Sequence, residues 1–215
     1  MSRLERQGRA AMTPSDVEAL FTDAEGRYRF ARWGRPLVPV VFGVEEATLA
    51  TVKGAVEAVV ALAGHRMAET DPELGVNLMI FFFRDWEELP EVPNLDRMIP
   101  DLGPLCARLA AAGANQYRHF RFDAEGAIRA CFVFLRMDAH LSAMPAEALA
   151  LTQAVQSMLL WSERAFAESS PLARAGETLI LRPEIASVIR AAYDPVLPAA
   201  ASDPSHALRL AARAG

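Results

Sequence analysis

Cysteine and lysine are nearly missing from this chain: its 215 residues include two of the first, Cys106 and Cys131, and one of the second, Lys53. Two thiols exclude a disulfide framework, and neither stands in a CxxC or Cys/His spacing suited to a metal. Cys131 sits inside the apolar run 130–135, where a thiol reads as a small buried hydrophobe. Long apolar runs are lacking too; the longest are six residues, AVVALA at 58–63, LMIFFF at 78–83, which holds IFFF at 80–83, and the run 130–135. All fall far short of the ~18 residues of a membrane span. The first dozen residues, MSRLERQGRAAM, have no apolar stretch of signal-peptide type. As numbered, the chain is therefore expected to be cytoplasmic, with Met12 as an alternative start.

An excess of positive charge is also absent. The formal net charge of −5 gives no general attraction for phosphate backbones or anionic lipid, so nucleic acid is not expected as a partner. No GxSxG, no P-loop and no GxGxxG after a strand is present. The four histidines, His65, His119, His140 and His206, are isolated, with no i,i+4 pair. No cofactor and no metal is expected. His119 and His140 are the pair that folding would have to bring together for one, and His65, after Gly64, reads as a helix-end residue carrying partial positive charge.

What is present is a globular composition, 52% hydrophobic and 23% charged, on a chain long enough to bury roughly 70% of its unfolded surface. Thr13-Pro14 with Asp16 and Glu18 opens a helix reaching 21. Arg27, Arg29, Arg32 and Arg35 read as a solvated face at a strand entry, with Trp33 buried between them. A strand over 37–42 is demoted to an edge by Pro39. Leu49, Val52, Val56, Val59, Val60 and Ala63 recur at helical spacing before Gly64. The run 76–83 has the continuous apolarity of a strand covered on both faces.

Four prolines make 84–113 read mainly as loops, with a helix over 105–112. Period-two alternation on either side of Asp123-Ala124-Glu125-Gly126 marks a hairpin, placing Phe132 and Phe134 on one face and Cys131, Val133 and Leu135 on the other. The span 144–166 reads as one long buried helix, being apolar around most of its girth. A short strand at 179–181, a helix from Pro183 to Tyr193, the stop Asp194-Pro195 and a fraying Ala-rich helix from Pro204 complete the chain. Glu87-Glu88 and Asp123-Glu125 read as solvated turns. The expected fold is α+β: a mixed or antiparallel twisted sheet with covering helices and one long buried helix. It comprises an arm over 1–12, one domain over 13–198 and a tail over 199–215.

The order of a helix, RFARWGRPLVPVVFG, NLMIFFF, a hairpin, a helix holding Thr152-Gln153-Ala154, and a last helix ending Tyr193-Asp194-Pro195 with Leu197 resembles the domain of unknown function 2927 family over roughly residues 15–197. The resemblance implies a zincin-like layout, in which the buried helix would carry metal ligands. It also implies envelope association, should the true start lie elsewhere, since many members read as lipoproteins. An HExxH helix needs two imidazoles four residues apart and a carboxylate beside the first. With Gln153 at the second imidazole position, the first falls on Leu149 and the carboxylate on Ala150, and none of the three can do that chemistry. The sequence therefore points to a non-catalytic binding or interaction module, with a protein partner or a second copy among its occupants. The alternative is a hydrolase-type enzyme whose site is assembled from Gln153, His119 and Arg136. The candidate ligand-facing residues are Gln153, His119, His140 and Arg136. A cleft of converging polar groups with a shifted pKa favours the enzyme, a broad apolar patch the interaction module.

Overall fold

Thr13 caps helix α1 (Pro14–Ala19) reciprocally: its hydroxyl accepts from the Asp16 N–H at 3.2 Å, and the Asp16 carboxylate accepts from the Thr13 N–H at 2.8 Å. The computed structural model describes residues 12–176 and 178–215, so most of the arm expected over 1–12 lies outside the described residues. Strand β1 (Phe30–Ala31) pairs antiparallel with β8 (Ala200–Ala201).

The main sheet has four strands, β2 (Pro39–Phe42), β3 (Leu78–Phe83), β4 (Gln116–Phe122) and β5 (Ile128–Arg136), in the order β2-β3-β5-β4. The first two pairings are parallel and β4 joins β5 antiparallel, giving a mixed sheet within an α+β fold. Pro39 is the first residue of an edge strand, where its missing N–H breaks no central ladder. Gly43 then turns the chain into α2 (Glu46–Leu62) at φ +79°, where an added Cβ would meet the Phe82 carbonyl oxygen at 2.0 Å. Gly126 supplies a positive φ, +82°, that the turn of the β4–β5 hairpin uses.

Side chains alternate as the sequence predicts. Cys131, Val133 and Leu135 belong to the larger core cluster with α2 and α6 (Ala146–Met158), while Phe132 and Phe134 belong to a second cluster on the opposite face. Both cysteines are free and buried, and burial pushes the Cys131 thiol up to about 12. Trp33 is fully buried, its indole donating to the Ser157 carbonyl at 2.8 Å.

Several expectations are corrected. The region 84–113 is mostly helical: a 3-10 helix (Trp86–Glu91), α3 (Leu95–Met98) and α4 (Leu102–Ala111) cover the second face. Pro90 and Pro104 fall within these helices and Pro93 and Pro100 in the turns between them, while the starts of α3 and α4 are set by Asn94 and Asp101 at positive φ. The buried helix ends at Met158 instead of running to 166, because Leu159 turns extended and bridges Arg32 while the Leu160 N–H donates to the Ala31 carbonyl. Carbonyls of its last turn accept from side chains of other segments: Trp161 reaches Val155, Trp33 reaches Ser157 and Tyr193 reaches Met158.

Arg32 and Arg35 do not form a solvated face. Arg32 donates to the Leu197 carbonyl at 3.3 Å and lies 5.5 Å from the centre of the Tyr193 ring. Arg35 pairs with Asp71 and Glu73. Asp71 is buried, which raises a carboxyl pKa, yet hydrogen bonds from the Leu74 and Glu73 N–H groups, Asn77 and Arg35 outweigh this and hold it at about 2. His65 carries no helix-end charge; burial lowers its pKa, and its Nε2 donates to the Arg35 carbonyl at 2.9 Å.

Beyond α5 (Ala139–Ser142) and α6 come the β6 (Leu172–Ala175) and β7 (Thr178–Leu181) pair, then α7 (Pro183–Ala192) and α8 (Ser205–Ala214). The helix expected to fray is packed: His206, Ala207, Leu210 and Ala211 of α8 are buried, against α1 and α7. Among the described residues no helix is long and apolar enough to cross a membrane.

Candidate functional site

Strand β4 lies at the edge of the sheet opposite β2, and its two faces differ. Gln116, Arg118 and Phe120 lie opposite Leu135, Val133 and Cys131, so they face α6; Tyr117 and His119 lie opposite Phe134 and Phe132, so they face away from it. Below this edge, between α6 and the segment 160–167 that follows it, opens a cavity of about 470 Å³. Its polar lining includes Gln116, Arg118, Gln156 and Glu163; its apolar walls include Phe120, Leu160, Trp161 and Phe166.

Three side chains build the polar floor. Arg118 Nη2 donates to Gln153 Oε1 and, at 3.5 Å, to Gln116 Oε1. Gln153 Nε2 donates to the same Gln116 oxygen at 2.9 Å. Gln153 is 1% exposed, held on α6 behind the guanidinium, and it positions Arg118 rather than lining the cavity. Arg118 Nε is buried without a hydrogen-bond partner. Among the described residues no carboxylate lies within ion-pair distance of Arg118. Burial lowers its pKa to about 10, so at neutral pH it remains a cation compensated only by amide oxygens. Glu163 is exposed, and one of its oxygens accepts from the Ala24 N–H at 2.6 Å.

The structure does not gather the four candidate residues. Gln153 stands at the cleft floor. His119 faces Phe132 on the opposite side of the sheet, its pKa lowered by burial. His140 is exposed in α5. Arg136 ends β5, donating through Nε to the Ala114 carbonyl at 3.2 Å and lying 3.6 Å from Asp138. Leu149 and Ala150 line a separate cavity of about 320 Å³, near Phe82, Met137 and Leu141, whose hydroxyls come from Thr48 and Ser142. Among the described residues no three His, Cys, Asp or Glu side chains converge as a metal site would require.

The residue that sequence reasoning missed is Arg118. Its signal was parity: along β4 it shares a face with Phe120, whereas Arg121 does not, and a charge on the covered face of a strand needs an explanation. Glu87 and Glu88 are exposed, as the sequence predicts, and Glu88 also accepts from the Arg84 and Asp85 N–H groups to cap the 3-10 helix. Compared with family models, with curated proteins and with solved structures, the chain matches none.

Proposed function

We propose that the chain is a non-catalytic ligand-binding module of zincin-like layout, with the cleft between β4 and α6 as its binding site. The observation that carries this reading is the floor of that cleft: a guanidinium and two amides, fixed to one another, beside an open cavity. A guanidinium and amides orient a ligand but transfer no proton near neutral pH. The cleft does have converging polar groups and a shifted pKa, features that favour an enzyme. The shifted group is an arginine, however, and His119 and Arg136, the partners a hydrolase would borrow, face the other side of the sheet. The zincin-like layout is supported by a mixed sheet with α6 buried on one face beside α2. A small ligand is favoured over a broad partner surface because the large exposed apolar side chains are scattered: Phe42, Ile180, Val196 and Leu208.

Elemental analysis after dialysis, with a peptide-cleavage screen with and without chelator, tests this against the hydrolase reading. Expected is zinc far below one per chain and no chelator-sensitive cleavage, since Leu149, Ala150 and Gln153 offer neither imidazole nor carboxylate. Roughly one zinc per chain together with cleavage abolished by chelator would overturn the proposal.

A further inference from the structure

We infer that the ligand of this cleft is a monocarboxylate with an apolar body, its carboxylate bound by Arg118. The inference rests on the binding reading above and names the chemistry that the site selects. A guanidinium removed from water costs several kcal/mol unless an anion and a full set of hydrogen bonds compensate it. Here the protein supplies two neutral amide oxygens, both to Nη2, and leaves Nε buried without an acceptor. Among the described residues Nη1 has no acceptor either, and unlike Nε it is not shut off from the cavity, so an anion with two oxygens in a plane would be met there by the Nη1–Nη2 edge of the fork.

One positive charge selects one negative charge. A phosphate dianion would bring a second charge that no other cation among the lining residues neutralises, and Glu163, which opposes any anion there, opposes a dianion more strongly than a monocarboxylate. Phe120, Leu160, Trp161 and Phe166 give the rest of the ligand an aromatic and aliphatic surround, so the body attached to the carboxylate is aryl or alkyl. Gln116 and Gln156 add neutral amides to the polar side of the cavity.

The probe is 3-phenylpropionate, with 3-phenylpropionamide as its neutral isostere and inorganic phosphate as a second anion, each titrated into the full chain. The readout is the indole N–H resonances of Trp33, Trp86 and Trp161. Trp161 lines the cleft, whereas the other two are in the core. The acid is expected to shift the Trp161 resonance and leave the other two in place, with the amide at least about tenfold weaker, as befits loss of a charge-assisted pair. Phosphate is expected not to shift it. Arg118→Met, which fills the space without the charge, is expected to keep or raise the melting temperature and to lose the acid by a similar factor.

Equal affinities for acid and amide, phosphate binding as tight as the acid, or undiminished acid binding by a folded Arg118→Met variant would each overturn the inference. If that variant fails to fold, the acid-to-amide ratio on the unaltered chain decides alone. Binding of acid and amide alike at Trp161 sinks the carboxylate assignment but leaves the binding module standing, whereas no binding by either sinks both. N-acetylglycylphenylalanine and its C-terminal amide separate the sources. Tighter binding of this peptide acid than of 3-phenylpropionate places the carboxylate on a chain terminus, and the reverse order places it on a small organic acid. Either order supports the inference.

Discussion

Replacing Phe134 with alanine is expected to cost about 3–5 kcal/mol, the range for deleting a large aromatic from a packed core. Phe134 is 1% exposed and lies in the middle of the second cluster, its ring stacked 5.3 Å from Phe81, which in turn stacks 4.8 Å from Phe42. It is held on a central strand between β3 and β4, so the sheet cannot collapse around the hole without breaking two ladders. Urea unfolding of the variant and of the parent chain gives the number directly. A loss below about 1 kcal/mol, the scale of mild surface changes, would mean that the helices over 86–111 do not cover this face.

Acidification is expected to remove about 3 kcal/mol of stability through His206 alone between pH 7 and pH 4. The imidazole is 1% exposed, with Nδ1 2.8 Å from the Tyr28 hydroxyl, the Phe30 ring tilted against it at a centroid distance of 4.3 Å, and Nε2 without a partner. A second ring proton would therefore be a buried donor with no acceptor. Burial, with Arg209 adding repulsion, lowers the pKa from 6.5 to about 4. Above the unfolded value of 6.5 both states hold the ring neutral and the contribution is complete. As pH falls, the unfolded chain takes up a proton that the folded one refuses. Below about 4 the folded ring is protonated too, and the contribution is gone. His206→Gln keeps an amide for Tyr28 but cannot titrate, so its stability should fall about 3 kcal/mol less over the same interval. His65 and His119, also lowered by burial, remain in both chains and do not obscure the difference. Parallel pH profiles for the two chains would contradict the burial of α8.

Where local pattern and tertiary environment agree, the fold was legible. The continuous apolarity of β3, the period-two alternation of β4 and β5, the helical spacing of α2 and the Thr13 cap each have one local solution, and each formed it. The end of α6 was not legible, because no glycine or proline stands at 159. The chain leaves the helix there to pair with 31 and 32, segments more than 120 residues away, and Trp33, Trp161 and Tyr193 satisfy the last carbonyls. The helices of 84–113 were masked by their own prolines, although Trp86, Leu89, Leu95, Ile99, Leu102 and Leu105 all turn inward. For the cleft, Gln153 could be found from its place on a buried helix. Arg118 could not be separated from the other arginines by composition; its parity with Phe120 is the local signal, and the register of β4 against β5 shows that this shared face is the one turned toward α6.

The central claim is that the cleft between β4 and α6 is where this protein meets its ligand. It is tested most directly by titrating a mixture of small organic fragments into the isotopically labelled chain and mapping backbone amide shifts residue by residue. The account predicts perturbations converging on 116–120, Gln156 and 160–167, the residues that enclose the cavity. Shifts that gather instead around Leu149 and Ala150 in the apolar cavity, or that gather nowhere, would contradict it.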